Sequence, residues 1–168
     1  HMQVAGDVFA HDNGVIHQFT DGDSEPTQSH GVDFVVKYFE NNGSDDSNVL
    51  VWNRTRATSD RHSSEHGSIV LDDDFSALHQ ANVVFLCLPT SDEVRATLHR
   101  AAPQLRKGSV VIDCTSGHPV QSRALADWLR DTYDITFMDC AVSGGPAGAA
   151  KGTVAAFVGC DDEDVVAN

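Results

Sequence analysis

The sequence predicts a doubly wound α/β fold with a mostly parallel sheet. Three observations carry this prediction: short, wholly apolar segments recur along the chain, amphipathic helical segments separate them, and glycine or proline bounds most of them. Wholly apolar strands are typical of a sheet covered on both faces, and right-handed crossovers place helices on each face. Because ligands of such sheets bind beyond the carboxyl ends of the strands, the residues that follow each strand are the candidates for function.

From residue 49 onward, the sequence predicts two helices and five strands. Two helices are expected, one from about Asp92 to Ala102 with Ser91 as its cap, and one from Pro119 to about Thr132. Five apolar segments are predicted to be strands, namely residues 49–52, 83–88, 110–112, 135–138 and 154–158.

The first 48 residues are less regular. Residues 31–41 are predicted as a helix, preceded by a strand over residues 15–20 and an acidic, polar connection over residues 21–31. A tag remnant, followed by either an extra strand or a disordered segment, is expected over residues 1–13. Residues 14–168 are expected to form one domain.

Composition excludes several functions. The formal net charge of the 168 residues is −14 at pH 7. Such an acidic surface repels nucleic acid and anionic membranes, so neither is an expected partner. The charge fits a generic solubilising surface or a high-salt cell, and composition does not separate the two. Neither a signal peptide nor a transmembrane run is visible, so we expect a cytoplasmic protein, with the mitochondrial matrix as the alternative.

The cysteines and histidines do not form a metal pattern. The four cysteines are 20 or more residues apart and form no CxxC pair. Three of them end apolar runs, as small buried thiols do. The segment His62–His66 matches the HxxEH pattern of zinc proteases, but that pattern requires a helix. We expect a solvated loop there and no metal site.

A Ser-Gly-Gly segment follows the fourth predicted strand directly. Backbone amides beside paired glycines are open to an anion, and a serine hydroxyl adjoins them. A substrate carboxylate would suit this arrangement, with a plain tight turn as the alternative. The residues are Ser143, Gly144 and Gly145.

Several segments in order resemble the cofactor domain of the 3-hydroxyisobutyrate dehydrogenase family, which includes semialdehyde reductases and 6-phosphogluconate dehydrogenases. The resemblance covers roughly residues 31–160 and implies a Rossmann-like fold. The matching segments are VWNRT at 51–55, VVFLCLP at 83–89, VIDCTS at 111–116, the Ser-Gly-Gly turn, and residues 152–159.

The resemblance implies a nicotinamide cofactor. Asn53, Arg54 and Thr55 would lie at the adenosine ribose, where relatives that prefer NAD usually have an acidic residue. A guanidinium there can pair with a 2′-phosphate, so NADP is the preferred cofactor and NAD the alternative. Leu88 and Pro89 would lie on the nicotinamide side.

The remaining roles follow from the same resemblance. Ser116 would lie near the nicotinamide, whereas Thr115 and the Ser-Gly-Gly turn would bind the substrate, a small 3-hydroxy acid or its semialdehyde. The resemblance leaves a homodimer open. The family usually has proline where this chain has Ala141.

Two departures from the family weaken the expectation of a working enzyme. Only Gly31 remains of the family's GxGxxG loop, because Pro26 and Gln28 occupy the positions of its first two glycines. The family's catalytic lysine would follow Asn168, so no catalytic residue is expected within this chain. We therefore expect a cofactor domain of an oxidoreductase that is inactive alone. The alternative is a non-catalytic pseudoenzyme or interaction module with degraded cofactor binding.

Overall fold

The computed structural model of the chain describes residues 2–5, 34–37, 49–145 and 153–160. Within these ranges, eight strands form one sheet: β1 (Met2–Ala5), β2 (Phe34–Lys37), β3 (Val49–Trp52), β4 (Ile69–Val70), β5 (Val83–Leu86), β6 (Val110–Asp113), β7 (Thr136–Ser143) and β8 (Ala155–Gly159). The helices are α1 (Arg56–His66), α2 (Ser91–Ala101) and α3 (Pro119–Tyr133), and 3₁₀ turns span Ser76–Gln80 and Ala102–Gln104.

The sheet is mixed but mostly parallel, with the strand order β1-β8-β7-β6-β5-β2-β3-β4. Strands β3 and β4, β5 and β6, and β6 and β7 pair in parallel, whereas β2 is antiparallel to both β3 and β5. Strand β8 is antiparallel to β7, and β1 is antiparallel to β8. Strands β3, β5, β6 and β7 therefore finish at the same end of the sheet, which we call the carboxyl edge. The predicted α/β fold class is confirmed.

The main core lies between the sheet and helices α2 and α3. Apolar side chains at helical spacing on α2, such as Val94 and Leu98, are fully buried, as is Leu129 of α3. Strands β5 and β6 supply Val84 and Val111 to the same cluster. A second, smaller apolar cluster lies on the other face of the sheet, because side chains alternate between faces along each strand. The described helices lack a segment long and apolar enough to cross a membrane.

The predicted helix over residues 31–41 is wrong for residues 34–37. These residues, Phe-Val-Val-Lys, form β2 between β3 and β5, and each pairs on both sides. Aromatic and β-branched residues fit a strand flanked on both sides, and this pairing outweighs the weak helical spacing. Residues 15–20 and 21–31 lie outside the described residues. Met2–Ala5 forms an extra edge strand, which was one of the two alternatives for the N-terminus.

The HxxEH segment lies on helix α1, so the predicted loop is wrong. This helix has no apolar stripe, and the side chains that it buries, Ser59 and His62, are polar. The His62 ring is hydrogen-bonded through Nδ1 to Ser68 Oγ at 2.8 Å. Gly67, at φ 72°, ends the helix in the left-handed conformation. Nowhere in the described ranges do three or more His, Cys, Asp or Glu side chains group as metal ligands.

The other predicted elements are confirmed, with three corrections at their ends. Strand β5 ends at Leu86, two residues before the predicted end. Helix α2 is capped by Thr90 and not by Ser91, since Thr90 accepts a hydrogen bond from the Glu93 amide. Strand β7 runs five residues past the predicted end, Met138, and finishes at Ser143. The extension forms because the end of β7 pairs with β8, in a register that aligns Ser143 with Ala155.

Candidate cofactor-binding site

The first part of the site is the turn that leaves β3. Asn53 is buried, and its Oδ1 accepts a hydrogen bond of 2.7 Å from the Thr55 amide. This local turn redirects the chain from the strand into α1, for which Thr55 is the N-cap residue. Arg54, between them, is exposed at the carboxyl edge. The turn therefore places the Arg54 guanidinium at the end of β3.

Arg54 makes an ion pair across the carboxyl edge to Glu93, in the first turn of α2. The Glu93 carboxylate also accepts a hydrogen bond of 3.1 Å from Thr90 Oγ1. Both charged side chains are partly exposed, and such ion pairs contribute at most about 1 kcal/mol. A phosphate that offers the guanidinium a bidentate contact can therefore replace the carboxylate.

Thr115 links the ends of β5 and β6. Its Oγ1 accepts a hydrogen bond of 3.0 Å from the Leu88 amide, and its own amide donates to Asp113 Oδ1 at 3.0 Å. Leu88 and Thr115 are both buried, whereas Pro89 is exposed. The threonine hydroxyl thus fixes the start of the Leu88-Pro89 loop.

Asp113 ends β6, and the residue is only 3% exposed. Burial raises the pKa of Asp113 to about 6, and the nearby charge of Asp139 adds to this effect. Hydrogen bonds from the side chain and amide of Thr115 act in the opposite direction. The carboxyl edge therefore contains a group whose charge changes just below neutral pH.

Ser116 lies on the loop between β6 and α3 and is exposed. The His118 amide in this loop donates a hydrogen bond of 2.7 Å to Ser91 Oγ on α2. Gly117 approaches the same hydroxyl closely, since a Cβ added there would lie 2.8 Å from Ser91 Oγ. The loop that presents Ser116 is thus anchored to the first turn of α2.

The Ser-Gly-Gly segment lies farther out than the rest of the site. Asp139 of β7 aligns with Asp113 of β6, and Ser143 is four residues beyond that level, which is about 13 Å along a strand. Gly144 has φ 139°, and a Cβ added there would lie 3.1 Å from Val154 Cγ1 and 3.2 Å from Val154 Cα. Glycine at this position therefore permits both the backbone conformation and the close approach of β8.

The structure brings most of the predicted site residues to one edge of the sheet. The exposed members there are Arg54, Thr55, Pro89 and Ser116, and the buried ones are Asn53, Leu88 and Thr115. Ser143, Gly144 and Gly145 are exposed at the end of β7, whereas Gly31 lies outside the described residues.

Two residues at the carboxyl edge, Glu93 and Asp113, were not predicted from the sequence as part of the site. Glu93 contacts Arg54 although the two are 39 residues apart, and Asp113 contacts Thr115. The signal available for Glu93 was its place in the first turn of the helix that follows a strand end. The signal for Asp113 was a carboxylate at the end of an apolar run.

Comparison with known families decides the relationship. The family model of the NAD binding domain of 6-phosphogluconate dehydrogenase matches residues 38–167. The chain belongs to this family. The predicted relationship to the 3-hydroxyisobutyrate dehydrogenases is confirmed as well, because two relatives named probable 3-hydroxyisobutyrate dehydrogenase or a protein like it each match 70% of this chain.

Individual relatives agree with this assignment. An uncharacterized oxidoreductase of Shewanella frigidimarina is 28% identical over 116 residues, which is 67% of this chain and 40% of that protein. A probable mitochondrial 3-hydroxyisobutyrate dehydrogenase of Dictyostelium discoideum is 26% identical over 70% of this chain and 37% of its own length. The chain thus spans about two fifths of the length of these relatives.

Solved structures show the same fold. The 3-hydroxyisobutyrate dehydrogenase of Mycobacterium tuberculosis with L-serine has a TM-score of 0.62 and 25% identity, over 68% of this chain and 39% of that one. Psf3 in complex with NADP+ and 2-OPP has a TM-score of 0.63 and 26% identity, over 70% of this chain and 42% of that one.

The described residues fit the two ends of a dinucleotide better than its centre. Arg54 offers a cation at the end of β3, and buried Leu88 leads into an apolar loop at the end of β5. Strand β2 occupies the centre of the sheet but starts at the carboxyl edge, where Phe34 pairs with Trp52 and Leu86. The carboxyl end of β2 therefore lies at the opposite edge, whereas the family's glycine-rich loop follows a strand that ends at the carboxyl edge.

Proposed function

We propose that this NAD(P)-binding domain belongs to an oxidoreductase that uses NADP(H) and acts on a small 3-hydroxy acid or its semialdehyde. The observation that carries the proposal is the exposed guanidinium of Arg54 at the end of β3, on the carboxyl edge. A solved relative named as a complex with NADP+ and relatives named 3-hydroxyisobutyrate dehydrogenase support it. When bound, the nicotinamide supplies or accepts the hydride.

In this proposal the residues of the edge bind and orient. Arg54 pairs with the 2′-phosphate in place of Glu93, and Asn53 and Thr55 lie against the ribose. Leu88 and Pro89 cover the nicotinamide side, with Thr115 as a positioning residue through its hydrogen bond to the Leu88 amide. Ser116 lies beside the nicotinamide. Ser143, Gly144 and Gly145 hold the substrate carboxylate.

Replacing Arg54 by glutamine tests the cofactor choice. We expect Arg54→Gln to weaken NADPH binding by about 10- to 100-fold, because a bidentate contact to phosphate is lost, and to leave NADH binding nearly unchanged. Isothermal titration calorimetry with both cofactors measures this. Arg56→Gln is the matched control, since Arg56 is also exposed and pairs with Asp60 and Asp72 on the side of α1.

Two results would contradict the proposed preference. One is a wild-type chain that binds NADH tenfold more tightly than NADPH. The other is an Arg54→Gln variant that loses the same affinity for both cofactors. Glu93→Gln provides a second variant, and it should raise NADPH affinity severalfold because it removes the carboxylate that competes with the phosphate.

We further propose that this chain binds cofactor without turnover. The family's chemistry uses a lysine to protonate or deprotonate the substrate oxygen, and both lysines in the described ranges, Lys37 and Lys107, lie at the edge opposite the carboxyl edge. An assay of NADPH oxidation with glyoxylate or succinic semialdehyde should show no rate above background. Steady consumption of NADPH in proportion to the protein added would refute this proposal.

A non-catalytic member of the family is the second candidate. The direction of β2 favours it, because a reversed central strand removes the family's means of holding the diphosphate. The same calorimetric titration separates the two candidates. Millimolar or absent affinity for both cofactors would favour the non-catalytic member, whereas micromolar affinity for NADPH would favour the first proposal.

A further inference from the structure

Three neighbouring strands bring three cysteines together at the carboxyl edge. The pairing aligns Leu86 of β5 with Asp113 of β6, and Asp113 with Asp139 of β7. The next residues are Cys87, Cys114 and Cys140, and the register continues, since the Cys114 amide donates a hydrogen bond of 2.7 Å to the Leu86 carbonyl. We call these three residues the thiol row.

The solvent exposure of the three cysteines decreases from Cys87 to Cys140. Cys87 is exposed, Cys114 is half-buried and Cys140 is 1% exposed. Cys114 and Cys140 belong to the apolar cluster on the face of the sheet opposite α2 and α3. None of the three is in a disulfide. The row therefore leads from solvent into the core.

The side chains of the row also interact. The thiols of Cys114 and Cys140 are hydrogen-bonded, and this contact lowers the pKa of Cys140 while it raises the pKa of Cys114. Burial raises the pKa of Cys114 further, and Cys87 is close enough to act on it electrostatically. The ionisation of one thiol therefore affects the ionisation of the other. Cys114 and Cys140 also occupy neighbouring positions on paired strands, since each directly follows a residue of the aligned pair Asp113 and Asp139.

We propose that the thiol row is a redox-modification site for hydroperoxides, in which Cys87 reacts first and a disulfide between Cys114 and Cys140 is the product. The Cys87 sulfur attacks the distal oxygen of the hydroperoxide, the O–O bond breaks, and an alcohol or water leaves with the proton. The Cys87 sulfenic acid then condenses with the Cys114 thiol, which forms a disulfide and releases water.

The final step moves the disulfide inward. The Cys140 thiolate attacks the Cys114 sulfur, the new S–S bond forms, and Cys87 leaves as a thiolate that takes up a proton. Two electrons pass in total from Cys114 and Cys140 to the hydroperoxide, and Cys87 is regenerated. The sequence of steps explains why an exposed, an intermediate and a buried thiol stand in that order across three strands.

The product would strain the proposed cofactor site. Cys114 lies between Asp113 and Thr115, and Cys87 precedes Leu88, so a bond between Cys114 and Cys140 pulls on the Thr115–Leu88 hydrogen bond. This consequence rests on the proposed function, whereas formation of the disulfide does not. The disulfide is therefore tested by a readout that does not involve the cofactor.

Peptide mapping of the full chain tests the thiol row directly. Trypsin places the four cysteines on four different peptides, namely residues 62–95, 108–123, 131–151 and 152–168. The chain is treated with one equivalent of hydrogen peroxide, its remaining thiols are alkylated, and the digest is analysed without reductant. We expect the 108–123 and 131–151 peptides to be cross-linked within one chain, and the link to disappear after reduction.

Two variants serve as probe and control. Cys87→Ser should slow formation of the cross-link about tenfold, because the oxidant must then reach a less exposed sulfur. Cys160→Ser should behave like the wild type, since Cys160 donates to the Phe137 carbonyl at 3.8 Å and lies outside the row. Oxidation of Cys87 alone to the sulfinic acid would overturn the proposal. So would a cross-link between two chains, or an unchanged rate in Cys87→Ser.

Discussion

Phe75→Ala is expected to lower the free energy of unfolding by about 3–5 kcal/mol, as truncation of a large buried aromatic does. The Phe75 side chain is 1% exposed. Its ring packs edge-on against Trp52 with centroids 5.2 Å apart, and the Arg100 guanidinium lies over the ring, 5.0 Å from its centroid. Removing the ring therefore leaves a cavity beside Trp52 and Arg100.

The effect should reach the proposed cofactor site. Trp52 is the last residue of β3 and precedes Asn53 and Arg54, and its Nε1 donates a hydrogen bond of 2.8 Å to Asp73. Urea denaturation followed by tryptophan fluorescence measures the loss of stability. Phe157→Ala is the matched control, because Phe157 is 44% exposed on β8 and should lose less than about 1 kcal/mol. Equal losses in the two variants would contradict the assignment of Phe75 to the core.

Asp113→Asn is expected to raise the free energy of unfolding by about 2–3 kcal/mol at pH 8, because the folded chain then buries an amide in place of a carboxylate. In the wild type the pKa of Asp113 is raised to about 6 by burial. The folded state therefore binds its proton more tightly than the unfolded state does, for which the ordinary value is 3.8. The Asn side chain keeps an oxygen to accept the hydrogen bond from the Thr115 amide.

The gain should depend on pH in a defined way. The wild type loses the favourable contribution of the protonated carboxyl as the pH rises from about 4 through about 6, so the gain from Asp113→Asn is near zero at pH 4 and complete above pH 7. Thermal unfolding at several pH values measures this. Asp139→Asn provides the comparison, since burial also raises the pKa of Asp139 but its side chain is less buried. A gain that is independent of pH would contradict the explanation by burial.

The elements predicted well are those whose apolar pattern is set locally. Strands β3, β5 and β6 are short apolar runs, and α2 and α3 carry buried side chains at helical spacing behind a capping residue or a proline. Helix α1 was missed because the side chains that it buries are polar, so the sequence shows no apolar stripe. The extension of β7 was missed because it depends on pairing with β8, a contact that the strand's own residues do not encode.

The candidate site was predictable as a set of positions but not as a set of contacts. Chain order places Asn53, Leu88 and Thr115 after strands, and parallel pairing then brings them to one edge. The partner of Arg54 could not be predicted, because Glu93 reaches it only through the packing of α2. The direction of β2 could not be predicted from the sequence either, since Phe-Val-Val-Lys fits the sheet in either orientation.

Hydrogen–deuterium exchange with and without NADPH tests most directly whether the carboxyl edge of this sheet holds the cofactor. We expect saturating NADPH to slow exchange of the backbone amides at residues 53–55, 88–91 and 114–118, which surround the edge. The amides at residues 105–110, at the opposite edge, should exchange at the same rate in both samples. Unchanged exchange at all three segments, or slower exchange confined to the opposite edge, would contradict it.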